Sequence, residues 1–383
     1  MKKRSTYFTH LECSKTGKVY NANQLQTFSD EGKPLLARYD LPVNLHPDIL
    51  KNRPLNMWRY AEFLPISKQE NRLTLGEGMT PVLRCKQDSG LAIKDEAINP
   101  TGSFKARGLA MAVSRAKELG VKRCVIPTAG NAGGAMSAYC ALAGMEAFVY
   151  MPRQTPEVFK QECRLLGAQL RIIDGNISDC AEAIAQEKNQ DWFDVSTLKE
   201  PYRIEGKKTM GYEIAEQYNW ELPDVIIYPT GGGTGLIGIW KAFEELQALG
   251  WLKKQRKPRM VVVQTEGCCP LVDAWHKGEI TAPAFINPAE TIANGLRVPK
   301  AFGDEIILDI LRQSGGYGIT VSEEEMINGI KKVATQEGIL LCPEGAAVWR
   351  AWEKLRDIGW IQRGERVLLI NTGSMYKYAE NLA

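Results

Sequence analysis

Asp224-Val225-Ile226-Ile227-Tyr228-Pro229-Thr230-Gly231-Gly232-Gly233-Thr234-Gly235 is the stretch on which the fold turns. It opens with a short apolar run of strand-forming residues, and a helical pattern follows over residues 236–249 and stops at Gly250. Between the two lie four glycines in five positions. So much glycine forfeits backbone entropy, which calls for a reason beyond turning the chain. A glycine-rich passage from strand into helix lets successive N–H groups face one concavity, and the helix dipole reinforces it. Thr230 and Thr234 add hydroxyls, and a single phosphate group is the natural occupant.

The same strand-then-helix alternation extends in both directions. Upstream, residues 124–127, 146–151 and 170–173 read as strands. Helical patterns over 110–119, 132–143, 157–166 and 177–188 follow or separate them. Downstream, a helix over 210–218 precedes the quoted strand, and 260–264 and 367–370 are further strands. Helices are read over 322–337 and 346–355. Two such series predict an α/β protein of two lobes, with parallel or mostly parallel sheets covered by helices, and a ligand cleft between them. The length of 383 residues, at about 150 per domain, agrees with two or three units.

Composition narrows the partner. Hydrophobic residues are 44% and charged residues 24%, which excludes disordered and fibrous classes. Lysine plus arginine is 48 against 45 acidic residues, a net charge of +3. The only basic clusters, residues 2–4 and 253–257, are short and read as solvated, so neither nucleic acid nor an anionic membrane is expected. No apolar run reaches the ~18 residues of a membrane span. The first twenty residues are polar and charged, which predicts no secretory signal. Nine scattered cysteines without a Cys-x-x-Cys pair predict free thiols in a reducing cytoplasm. A small molecule is the expected partner.

Three further loops bear on chemistry. In Asn99-Pro100-Thr101-Gly102-Ser103-Phe104-Lys105-Ala106-Arg107-Gly108, Ser103 reads as an N-cap for a helix starting near Phe104. Lys105 would then lie in a first turn whose dipole disfavours a cation. Either the amine is consumed in a covalent bond to an aldehyde, or it is a surface lysine beside an ordinary cap. Thr128-Ala129-Gly130-Asn131 also joins strand to helix. It offers N–H groups to a carboxylate and an amide to a phenolic oxygen, or it is a plain turn. Asn371-Thr372-Gly373-Ser374 follows the last strand, where a hydroxyl can meet a neutral ring nitrogen, or close a turn. The match of Gly233-x-Gly235-x-x-Gly238 to a dinucleotide fingerprint is formal only. The nearest acidic candidate, Glu266, stands too far along the chain.

Together with Gly76-Glu77-Gly78-Met79-Thr80-Pro81 and Arg203-Ile204-Glu205-Gly206-Lys207-Lys208-Thr209, these loops resemble the fold type II pyridoxal-phosphate enzymes, the tryptophan synthase β-subunit family. The resemblance runs over roughly residues 8–378, and within the family it is greatest to the threonine synthases. It implies pyridoxal 5′-phosphate as cofactor, bound covalently by Lys105, which then serves as mobile acid and base. The loop of Gly231, Gly232, Gly233, Thr234 and Gly235 would hold the cofactor phosphate. Asn131 would meet the cofactor's 3′-oxygen and Thr372 its ring nitrogen. Thr128, Ala129 and Asn131 would receive the substrate carboxylate. Ser196, Arg203 and Lys208, with Lys207 as a further candidate, would receive a substrate phosphate.

The implied reaction is that of a carbon–oxygen lyase acting on phosphates: O-phospho-L-homoserine and water to L-threonine and phosphate. A threonine or serine dehydratase, or a β-replacement enzyme of the same fold, is the alternative. Ala106 stands where threonine synthases commonly have Asp, and the cofactor loop lacks their asparagine. The resemblance also implies a homodimer and a division into three parts. Residues 1–75 would be an extension packed on the larger lobe, 76–109 and 206–383 that cofactor-binding lobe, and 110–205 the smaller domain. The extension would keep a ribbon shape without zinc. Cys13 is present, but Thr16, Phe28 and Glu31 stand where the other ligands would fall.

Overall fold

The computed structural model describes residues 5–187 and 191–381, so the basic cluster at 2–4 and the expected helix end at Lys188 lie outside the described residues. Chain contacts divide the molecule into two units. The first runs to Met79 and adds Asn99–Thr101 and Lys105–Met210. The second holds Thr80–Ile98, Gly102–Phe104 and the chain from Gly211 onward.

In the first unit four parallel strands lie in the order Gln169–Ile173, Glu146–Pro152, Arg123–Pro127, Trp192–Asp194. One face packs Val125, Phe148 and Tyr150 against Cys180 and Ile184 of the Ile177–Glu187 helix, and the Phe148 and Trp192 rings stack at 4.3 Å. The N-terminal extension is a three-stranded antiparallel ribbon, Val19–Tyr20, Phe8–Cys13, Leu35–Tyr39. It belongs to this unit and not, as expected, with the larger one. Tyr39 Oη donates to Glu205 at 2.6 Å, and the Arg115 guanidinium lies 5.6 Å from the Phe8 ring. Among the described residues no group of three or more His, Cys, Asp or Glu is placed to hold a metal ion.

In the second unit six strands run Tyr317–Val321, Arg259–Thr265, Val225–Pro229, Val367–Asn371, Leu91–Asp95, Val82–Arg84. All are parallel except the last, which pairs antiparallel with its neighbour. Every residue of Val225–Pro229 is buried, which is why the quoted stretch reads as an unbroken apolar run rather than an alternating one. Trp349, Trp352 and Leu355 of the Pro343–Asp357 helix pack into the core against Val225, Val261 and Val367. The Glu323–Glu337 helix begins with a complete capping box between Ser322 and Glu325. No described helix is long and apolar enough to cross a membrane.

One helix departs from expectation. Residues Tyr202–Gln217 form a single helix that starts eight residues before the predicted 210. Glu200 caps it, accepting from Tyr202 N at 2.7 Å and from Arg203 N at 3.1 Å. Nearly every side chain from Tyr202 to Ala215 is buried, so no amphipathic stripe marks the helix in the sequence. It crosses the Lys105–Glu118 helix at two glycines. A Cβ on Gly206 would stand 2.0 Å from Arg107 O, and one on Gly108 3.1 Å from Arg203 O. Because the obstacle is backbone, Gly206→Ala is expected to lower stability by at least ~1–3 kcal/mol, the usual cost of overpacking, read as a drop in denaturant midpoint.

Candidate active site

The residues leading into Lys105 are laid along the turn after the last strand. Ser103 faces Gly373 in an antiparallel bridge, Phe104 N donates to Thr372 O at 3.0 Å, and Ser374 N donates to Gly102 O at 2.8 Å. The helix then opens at Lys105, so Ser103 is engaged with the turn one position short of the cap. The Phe104 ring meets that of Tyr228 edge-on at 6.3 Å. The Tyr228 hydroxyl lies 1.9 Å from where a Cβ on Gly235 would stand. Within the second unit, the chain entering Lys105, the Thr372 turn and the glycine loop are therefore packed together.

The glycine loop is packed so closely on its neighbours that it has no room for side chains. A Cβ on Gly231 would sit 2.2 Å from Gly295 O, and one on Gly233 2.2 Å from Ile307 Cδ1. Gly233 also takes the left-handed conformation, φ 71°. Ile237 N makes the first helical bond, to Gly233 O at 3.0 Å. The N–H groups of Gly235 and Leu236 precede that bond at the helix start, the arrangement that receives an anion. Thr230 is not turned to this concavity, since its hydroxyl donates to Tyr228 O at 2.9 Å.

Thr372 is fixed by neighbours that the sequence did not flag. Asn371 accepts from Cys342 N at 3.2 Å and donates to Asp95 at 2.8 Å. The Cys342 sulfur lies 3.9 Å from Thr372 Oγ1. In the first unit, Thr128 and Gly130 close a tight turn, Gly130 N donating to Thr128 Oγ1 at 3.2 Å, and the Asn131–Ala143 helix opens directly after it. Ala129 is half-buried at that helix end. A Cβ on Gly133 would meet Met151 and Thr128 within 3 Å, so the turn lies close on its strand.

The Arg203 segment holds the strongest electrostatic feature. Arg203 is 1% exposed, and its Nη1 donates to Val195 O at 2.7 Å and to Thr197 Oγ1 at 3.4 Å. Its Nε and Nη2 are buried with no hydrogen-bond partner among the described residues. Ser196 lies in the same bend, its hydroxyl bound to Asp194. Lys207, one turn along the helix from Arg203, is 0% exposed. Burial first, and then the charges of Lys105 and Arg203, hold its amine well below the usual lysine range, against the pull of Glu200.

Lys208 is not brought to this pocket. A hundred degrees further round the helix, it pairs with Glu205 at 2.7 Å and lies 3.8 Å over the Tyr39 ring. The first unit thus assembles Arg203, Ser196, Lys207 and Lys105, and leaves Lys208 in a separate ion pair.

The sequence matches the family described as "Pyridoxal-phosphate dependent enzyme" over residues 73–373. The chain belongs to that family of fold type II enzymes. It is 33% identical to the threonine synthase of Methanocaldococcus jannaschii over 371 residues, 94% of this chain and 91% of that protein. It is also 33% identical to the threonine synthase of Methanosarcina acetivorans over 377 residues, 96% and 92% of the two chains. Among solved structures, the L-serine ammonia-lyase of Rhizomucor miehei superposes with a TM-score of 0.66 at 22% identity, covering 79% of this chain and 98% of its own.

Pyridoxal phosphate is therefore the cofactor of this family member, and a side-chain-free glycine loop opening a helix suits its phosphate. When bound, it supplies an electron sink for negative charge on an amino-acid substrate. Gly233→Ala would drive a methyl group into Ile307 and force φ out of its native region, displacing the loop. It is expected to release most of the cofactor on dialysis, seen as lost visible absorbance, while far-ultraviolet dichroism is unchanged.

Burial pushes the Glu200 carboxyl up to about 7. The native state then binds a proton that the unfolded chain releases near 4.5, so this group's contribution to stability is lost as pH rises through 4.5 to 7. Glu200→Gln keeps an acceptor for the helix cap, and should flatten that part of the stability–pH curve in urea titrations.

Proposed function

We propose that the enzyme is a threonine synthase, converting O-phospho-L-homoserine and water to L-threonine and phosphate. The observation that carries this reading is the buried Arg203 guanidinium, whose Nε and Nη2 have no hydrogen-bond partner among the described residues, one turn from a second buried basic side chain. A planar fork of this kind matches a phosphate bidentately. An enzyme that eliminates water from threonine or serine handles no second phosphate and has no use for such a pocket. The full-length relatedness to two archaeal threonine synthases supports the same assignment.

In this reading Lys105 holds the cofactor covalently and moves protons at the substrate's carbons. Gly231, Gly232, Gly233, Thr234 and Gly235 hold its phosphate, Asn131 its 3′-oxygen and Thr372 its ring nitrogen. A hydroxyl at that nitrogen leaves it neutral and moderates the electron sink, which favours elimination and replacement over transamination. Thr128, Ala129 and Asn131 take the substrate carboxylate, while Arg203, Ser196 and Lys207 take the substrate phosphate. With it go the homodimer and the cytoplasmic setting that the resemblance implies, in keeping with nine free, buried cysteines.

The test offers the purified enzyme O-phosphohomoserine, threonine and serine separately. Threonine and inorganic phosphate from the first are expected; a 2-oxo acid and ammonia from the others, with no phosphate released from the first, would establish the dehydratase reading instead. Lys105→Ala should abolish turnover. Arg203→Ala should lower kcat/KM for the phosphate ester by about 10²- to 10⁴-fold, taking ~1.5–3 kcal/mol for each of two hydrogen bonds to a charged group.

A further inference from the structure

Tyr228 lies near the end of the Val225–Pro229 strand, just before the glycine loop. Side chains alternate along a strand, so Tyr228 points to the sheet face opposite Val225 and Ile227, which belong to the core under the Pro343–Asp357 helix. It is 1% exposed, and its ring is set edge-on to Phe104 at 6.3 Å. Its hydroxyl has no hydrogen-bond partner among the described residues. Buried tyrosine hydroxyls ordinarily find one, because withdrawing the group from water unmatched is unfavourable.

The unmatched oxygen stands at the start of the Thr234–Ala248 helix. It lies 1.9 Å from where a Cβ on Gly235 would be, so only glycine at that position admits the ring. Cα–Cβ bonds tilt toward a helix's N-terminus. The hydroxyl is therefore on the side of Gly235 from which an anion approaches the first N–H groups. Thr230, whose hydroxyl the sequence offered for this task, spends it on Tyr228 O at 2.9 Å. Burial, and then the charge of Glu96, hold the phenol well above its ordinary range, which keeps it a donor.

Resting on the reading that the glycine loop holds the cofactor phosphate, we propose that the Tyr228 hydroxyl is a further ligand of that phosphate. It donates a side-chain hydrogen bond to an anionic oxygen, beside the N–H groups of Gly235 and Leu236. A bond from a neutral donor to a charged acceptor is of the stronger kind, and it supplies the partner that the buried hydroxyl lacks. Gly235 is the counterpart of this role, since a larger residue would bar the ring from the helix start.

The test compares the wild type with Tyr228→Phe, which keeps the ring and removes only the oxygen. Each full chain is stripped of cofactor and titrated with pyridoxal 5′-phosphate and, separately, with pyridoxal, which lacks the phosphate. Binding is read from visible absorbance. Tyr228→Phe should raise the dissociation constant for the phosphate ester by about 10- to 100-fold, the range for a hydrogen bond to a charged group, and leave that for pyridoxal within about twofold. Because the deleted hydroxyl strands no protein partner, the stripped variant should match the wild type in denaturant midpoint, which separates lost binding from lost folding. In the holoenzyme, the phosphorus resonance of the bound cofactor should shift on substitution. Equal weakening of both ligands would show that the hydroxyl serves packing alone and would overturn the proposal. Unchanged affinity for the phosphate ester, or an unmoved phosphorus resonance, would overturn it too. A wild type that binds pyridoxal as tightly as its phosphate ester would instead remove the phosphate reading of the glycine loop beneath it.

Discussion

The Arg203 guanidinium is withdrawn from water with its Nε and Nη2 unmatched among the described residues, and this is the constraint on which the reading of the first unit depends. Such burial is unfavourable by several kcal/mol unless an acceptor supplies what water did. The fold nevertheless fixes it, holding Arg203 Nη1 against Val195 O so that the remaining edge of the fork is left available. An oxyanion bound there would supply the missing acceptors. Burial, and then the charges of Lys105 and Arg203, likewise hold the neighbouring Lys207 amine below the usual lysine range.

Two glycines make this arrangement possible. Gly108 and Gly206 let the Lys105–Glu118 and Tyr202–Gln217 helices approach until backbone carbonyls bound the gap. The contact is reinforced by Arg107, whose guanidinium donates to Thr209 at 3.0 Å across the same crossing. With larger residues the helices would part, and the line from Lys105 to Lys207 to Arg203 would lengthen. Chemistry and packing are thus the same feature seen at two scales.

Much of this was legible in the sequence, and what was not has identifiable causes. The passage from strand to helix through the quoted glycines, the parallel strands at Cys124, Ile226 and Leu368, and the Ser322 cap all stand as read, because local composition and turn chemistry dictate them. Three other features were hidden. The first half of the Tyr202–Gln217 helix is buried on all sides and shows no period. The Asp304–Ser314 helix and the Tyr317–Val321 strand follow a long irregular passage and gave no clear boundary. The ribbon's docking side depended on tertiary pairs such as Tyr39 with Glu205, which no local pattern contains. The choice of Lys208 over Lys207 had the same origin: adjacent residues on a helix point a hundred degrees apart, and only the neighbours reveal which one enters the pocket.

Three fully buried lysines make that last point general. Lys94 is held by Glu213 at 2.9 Å, Gln217 at 3.0 Å and Thr80 O at 2.7 Å, a shell of acceptors that fixes the ammonium and pins the turn before the Val82–Arg84 strand. Lys208 has Glu205 and the face of Tyr39, and serves to dock the ribbon. At Lys207 the charges that weigh most are cations, Lys105 and then Arg203, and the opposing carboxylate of Glu200 is itself pushed toward neutrality by burial. Neighbouring acceptors hold Lys94 and Lys208 in place, whereas burial and the cations Lys105 and Arg203 lower the basicity of Lys207. Equal burial thus sets the same side chain among opposite charges at adjacent positions of one helix, Lys207 beside cations and Lys208 beside Glu205.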